Sequence, residues 1–220
     1  MLTLDRARGR RPARALATAC LTGLAAAVAA PAAASAPAQG DALRVSARHH
    51  VLAAAPVRAA GSLASGRSGL TVLLQASTGR GWRTVARART VEGGRFGARW
   101  TPGRVDRYAV RVRLADGSAR RTLRGGVTVY RRSAASWYGP GFYGRRTACG
   151  RTLTRGTLGV ANRSLPCGTR VRLRYRGRTV TAPVIDRGPY AAGREYDLTA
   201  ETKERLGFGS TGTVWSSPDG

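Results

Sequence analysis

"RVRLRYRGRTVTAPVIDRGPYAAGREYDLT", residues 170–199, carries a clear strand pattern and, beside it, a cluster of carboxylates. Val171, Leu173 and Tyr175 alternate with Arg172, Arg174 and Arg176, the period-two signature of a half-buried strand. Gly177 then interrupts the run, and a second strand-like segment ends at Asp186, so the spacing predicts a hairpin turning at Gly177. Asp186, Glu195 and Asp197 follow within a few positions of one another. Reading backward from Asp186, no acidic residue appears until Asp116, in a chain with 38 Lys+Arg against 11 Asp+Glu. Carboxylates gathered around a Gly-Pro turn in so basic a protein suggest a site.

Working outward, "DLTAETKERLGFG" (197–209) reads as a short helix. Thr199 is its N-cap, Glu201 sits in the first turn, and Gly207 supplies the stop. "TGTVWSS" (211–217) is a closing strand, and "SWYGPGFYGRRTACG" (136–150) sets aromatics between glycines. Mostly strand with one brief helix, residues 137–216 are expected to form a small closed β-barrel. Residues 132–136 have the small-and-charged composition of a linker. Before them, 41–131 read as short strands separated by turns, with "YAVRVRLA" (108–115) a half-buried example. The expected fold class is therefore mostly β, an antiparallel sandwich followed by the barrel. The first part resembles a bacterial immunoglobulin-like domain, with Trp82 and Trp100 as core or near-core aromatics. His49 and His50 read as an ordinary strand edge.

The 220 residues suffice for one large or two small domains, and 42% hydrophobic content excludes wholesale disorder. The net charge of +27 is almost all arginine, since Lys203 is the only lysine. A coding bias toward Arg, Ala and Gly is one source of it. Whatever the source, it attracts polyanions within a Debye length of about 8 Å. The N-terminus has an Arg-rich start, a nearly non-polar run from Ala13 to Ala30, and small residues around Ala34, Ser35 and Ala36. That order reads as a signal peptide over 1–36, leaving no membrane span once removed. Arg10-Arg11 leaves the Sec and twin-arginine routes both open. Export makes the expected location extracellular and wall-associated, with an anionic wall polymer, not nucleic acid, as partner. Cys20 falls inside the signal run, so Cys149 and Cys167 remain as an even pair in an oxidising compartment. A disulfide is expected of them. A metal site is the alternative, poorly supported without nearby histidines; no metal or cofactor is expected.

"ASWYGPGFYGRRTACG" (135–150), "TLGVANRSLPCGTRVRL" (157–173), "VIDRGPY" (184–190) and "REYDLT" (194–199) stand in an order and spacing similar to the rare lipoprotein A (RlpA) family. The resemblance implies a six-stranded double-psi β-barrel, also found in expansins, and a cell-wall polysaccharide as ligand. Active members of that family are lytic transglycosylases acting on peptidoglycan glycan strands. Asp186 matches the family's catalytic aspartate, and Asp197 the acidic residue on which expansins rely. Arg151 stands where the family usually has Glu, and Asn162 where it has His. Cys149 and Cys167 replace Asn and an apolar residue, so their disulfide would bracket the cleft loop.

The site expected on these grounds has Asp186 and Asp197 as catalytic groups, with Tyr138, Arg151, Asn162, Arg187, Tyr190 and Tyr196 binding substrate. Trp137, Phe142 and Tyr143 are further aromatics near it. A general acid needs a raised pKa. Two close aspartates would supply one, while Arg187 and Arg194 favour the ionised form. The bland alternatives are a turn cap for Asp186 and an arginine partner for Asp197. A non-catalytic, expansin-like module that binds and loosens the wall is the competing function.

Overall fold

Inward apolar and outward arginine side chains alternate along several strands of this protein, and the buried apolar residues form two cores. The computed structural model describes residues 42–219; the expected signal peptide over 1–36 lies outside them. Eight strands come first: β1 Leu43–Ala47, β2 His50–Leu52, β3 Val57–Leu63, β4 Thr71–Ser77, β5 Arg83–Arg89, β6 Arg95–Trp100, β7 Arg107–Leu114 and β8 Arg120–Thr122. Strands β1, β3 and β6 form one antiparallel sheet. Strands β5, β4, β7 and β8 form the facing one. Val57, Ala59 and Phe96 from the first sheet share a buried cluster with Val72, Leu74, Val110 and Val112 from the second. The two sheets thus make an antiparallel sandwich. Trp100 packs against this core and meets Tyr108 edge-on, ring centres 4.9 Å apart. Trp82, expected in or near the core, is 36% exposed and lies under the guanidinium of Arg111, 4.1 Å away. Its indole covers a surface arginine instead of filling the interior.

Strand β9, Val127–Tyr138, belongs to both halves. Its start pairs with β7 and β2, and its end enters a second sheet. There β10 Val160–Ala161, β11 Arg170–Tyr175, β12 Arg178–Asp186, β13 Tyr196–Thr199 and β14 Thr211–Pro218 complete a ring. The order is β9-β13-β10-β12-β11-β14, and β14 pairs back onto β9, so six strands close a barrel. Pairings β9–β13 and β10–β12 are parallel. Residues 132–136, expected as a linker, are mid-strand. Ser133, Ala135 and Ser136 are buried there, and the Ser133 hydroxyl meets that of Ser216 at 2.7 Å. These side chains are small, two of them hydroxyls, so composition mimics a linker while the backbone continues as strand.

The 170–186 hairpin forms as the alternation dictates. Tyr175 faces Arg178 across a two-residue turn, with Arg176 and Gly177 both at positive φ (44° and 87°). Val171 and Leu173 are fully buried, worth roughly 1.5–3 kcal/mol each. Helix α1, Ala200–Leu206, starts at Thr199, whose side chain accepts from the Thr202 N–H, and stops at left-handed Gly207. It seals one end of the barrel with Leu206.

Candidate active site

Four strands of the barrel present short side chains on one face. Ala161 on β10 is the register partner of Asp186 on β12 and also of Asp197 on β13. With neighbouring strands about 4.8 Å apart, the two aspartate backbones stand about 10 Å apart, with only the Ala161 methyl between them. Asp197 in turn is opposite Ser136 on β9, and Tyr138 lies two residues further along that strand. Asp186 reaches this face through a register shift: Val160 pairs with Val184, but Ala161 pairs with Asp186. In a regular strand Asp186 would share the inward direction of Val184; the extra residue that turns it outward is Ile185. Its own side chain is buried against Gly159, where an added Cβ would fall 2.5 Å from Ile185 carbons.

Each carboxylate is oriented by different groups. Asp186 Oδ1 accepts from the backbone N–H of Ala148 and of Arg187, both at 2.8 Å. Asp197 Oδ1 accepts from the Ser136 hydroxyl, and Arg194 Nη1 donates to the same Ser136 oxygen at 3.2 Å. The Tyr138 hydroxyl is buried without a hydrogen-bond partner. Burial first, then the Asp186 carboxylate and finally Asp197, push its pKa well above the ordinary value of 10.0. One phenol therefore senses both aspartates. Tyr138 also meets Phe142 edge-on at 6.2 Å, and Phe142 is 51% exposed.

The remaining expected residues separate. Tyr190, 82% exposed, stands on the 187–195 loop between the aspartates. Tyr196 is fully buried in the barrel core and cannot stack on a sugar; it shares the inward face with Leu198 because Asp197 takes the outward one. Asn162 is also buried: its Oδ1 accepts from the N–H of Ser164 and Leu165, and its Nδ2 donates to the Glu195 carbonyl. It pins a loop rather than meeting a ligand. Arg187 spends Nη1 on the carbonyls of Asn162 and Leu165 and Nη2 on Cys167 Sγ. Arg151 is exposed and lines a separate hollow of about 550 Å³ with Thr157, Leu158 and Pro183. Glu195 pairs with Arg131, and Lys203 Nζ sits 4.2 Å above the Trp137 ring. Ser136, Ala161 and Ala148 were not anticipated. The smallness of Ala161 between two aspartate-bearing strands was the available signal; the Ala148 amide carried none.

Cys149 and Cys167 are joined in a disulfide. The Cys149 N–H bonds the Ile185 carbonyl, and the Gly168 N–H bonds that of Val184, so the bridge straps both loops to the strand end bearing Asp186. Among the described residues, no group of three or more His, Cys, Asp or Glu could hold a metal ion.

Residues 131–215 match the model of the family described as "Lytic transglycolase". Three curated relatives match in part. A probable endolytic peptidoglycan transglycosylase RlpA of Synechocystis is 41% identical over 105 residues, 46% of this chain and 30% of that protein. One of Aquifex aeolicus is 40% identical over 87 residues, 39% of this chain and 38% of that protein. The endolytic peptidoglycan transglycosylase RlpA of Campylobacter jejuni is 37% identical over 82 residues, 36% and 30% respectively. The chain thus spans about a third of the length of these relatives. Residues 131–215 thus combine a match to that family model with a closed six-stranded barrel and the motifs that resemble the RlpA family.

Proposed function

We propose that the chain is an exported wall protein whose barrel cleaves peptidoglycan glycan strands as a lytic transglycosylase. The observation that carries this reading is the placement of Asp186 and Asp197 on one face, either side of Ala161. Both amide donors engage Oδ1 of Asp186, so Oδ2 is the oxygen left to meet a substrate. As an acid it protonates the glycosidic oxygen and the C1–O bond breaks; as a base it takes the proton of the sugar's own C6 hydroxyl as that oxygen closes onto C1. The product carries a 1,6-anhydro end, and no water is consumed. Asp197, steadied by Ser136, stabilises the positive charge developing at the anomeric carbon. Tyr138 and the exposed rings of Phe142 and Tyr190 offer faces to sugar C–H groups.

A second reading keeps the groove and drops the chemistry: a module that binds wall glycan and loosens it. Arg151 and Asn162, in place of the Glu and His usual in the family, favour it, and Asn162 is fully occupied in its turn. Purified mature chain incubated with peptidoglycan strands, with and without stem peptides, decides between them by mass spectrometry. Anhydro-ended products, absent with Asp186→Asn or Asp197→Asn, support cleavage. Binding without products refutes it in favour of the loosening module.

A further inference from the structure

The sandwich carries a surface that the barrel's chemistry does not use. Strands β5, β7 and β8 contribute three, three and two arginines, and with β4 they contain no acidic residue. Register places several of these on one face. Leu73 pairs with Arg87 on one side and Arg113 on the other, and Arg113 pairs with Arg120. With strands about 4.8 Å apart, Arg113 and Arg120 stand directly opposite, and Arg87 lies about 10 Å from Arg113. The next row runs Thr84, Gln75, Arg111, Thr122. There Gln75 Oε1 accepts from Arg111 Nε at 2.8 Å, its Nε2 donates to Thr84 at 3.1 Å, and Trp82 stacks under Arg111. Leu73 and Gln75 point away from the sandwich core yet are only 9% and 8% exposed, in strands flanked by arginines whose apolar stems are long enough to cover them.

Like charges directly opposite in a sheet destabilise it. Asp116, in the turn after β7, already spends Oδ1 on the N–H and hydroxyl of Ser118. A face that sets arginines at adjacent register positions, with Gln75 and Trp82 holding Arg111 and the Leu114 and Ala115 carbonyls accepting from Arg113, is complementary to an anion repeated along a chain. We propose that the outer face of β5-β4-β7-β8 docks a linear phosphodiester polymer of the cell wall. Guanidinium forks match phosphate oxygens two at a time, and a charge on every repeat answers adjacent arginines that a single small anion cannot. Nucleic acid fits less well. A run of bases needs several stacking platforms, and this face offers the single ring of Trp82, which already carries Arg111 on one side. The choice of a wall polymer rests on the wall reading of the barrel, but the test needs no catalysis.

The test measures binding of the mature chain to fluorescent poly(glycerol phosphate) by anisotropy across a salt series, with single-stranded DNA of equal charge as the second arm. The triple variant R87Q/R113Q/R120Q should bind the polymer at least tenfold more weakly, with a log K against log salt slope shallower by about 2. R44Q/R58Q/R99Q, removing the same charge from the opposite sheet, should lose no more than threefold. R87K/R113K/R120K, which keeps the charge and the apolar stems but not the bidentate fork, should fall between the parent and the Gln variant. Equal losses in the two Gln variants would reduce the effect to net charge and overturn the proposal. So would a Lys variant as weak as its Gln counterpart, or tighter binding of DNA than of the polymer at the same salt.

Discussion

Opening the Cys149–Cys167 bridge tests whether the strap around Asp186 holds the site as well as the fold. The bridged cysteines are 18 residues apart, and the chain-entropy relation for a loop of that size gives about 3 kcal/mol. For a folded unit of this size the loss corresponds to a drop in Tm of roughly 6–12 °C. It is an upper figure, because structure retained in the unfolded chain reduces the entropy that the bridge removes. Function should suffer more than stability. Ala148, whose amide orients Asp186, adjoins Cys149, and the Gly168 amide held to Val184 adjoins Cys167. The double variant Cys149→Ser/Cys167→Ser is compared with the parent by urea titration and by the rate of anhydro-product formation. At a temperature where both are folded, product formation should fall at least tenfold. A stability loss under 1 kcal/mol together with an undiminished rate would refute the reasoning.

Three further outcomes are expected. Gly159→Ala drives a methyl into Ile185 at 2.5 Å; it should cost about 1–3 kcal/mol by overpacking and displace the bulge, and an unchanged urea midpoint would contradict that contact. Ser136→Ala removes the hydroxyl that both Arg194 and Asp197 use, so the product rate should fall about tenfold while far-UV circular dichroism is unchanged. Tyr138 holds its proton more tightly folded than unfolded. Its stabilising contribution is therefore complete below about pH 10 and lost above it, as the unfolded phenol ionises first. Tyr138→Phe should flatten the alkaline limb of a stability-versus-pH curve and, by removing an unpartnered buried hydroxyl, leave neutral-pH stability equal or slightly higher.

Much of the fold was legible because its signals are local. The hairpin at Gly177, the caps at Thr199 and Gly207, and the closing strand each follow from a few adjacent residues. Residues 132–136 misled because strand alternation was written in Ser and Ala, whose burial depends on what lies across the barrel. The site was half legible. The motifs mark Asp186 and Asp197, but the bulge that turns Asp186 outward is a register property of two strands distant in sequence. Tyr196 was readable after all: in "REYDLT" it alternates with Asp197, so the two cannot share a face. The burial of Asn162 and the use of Arg187 on loop carbonyls depend on how the 162–168 loop folds, which no spacing encodes.

Strand β9 runs unbroken from the sandwich core at Val127 and Val129 to Ser136 and Tyr138 at the barrel site. One continuous strand therefore joins the two cores. A molecule seated on a wall through its sandwich would carry the groove at the end of that strand, as a compass carries its pencil at one arm's length from its foot.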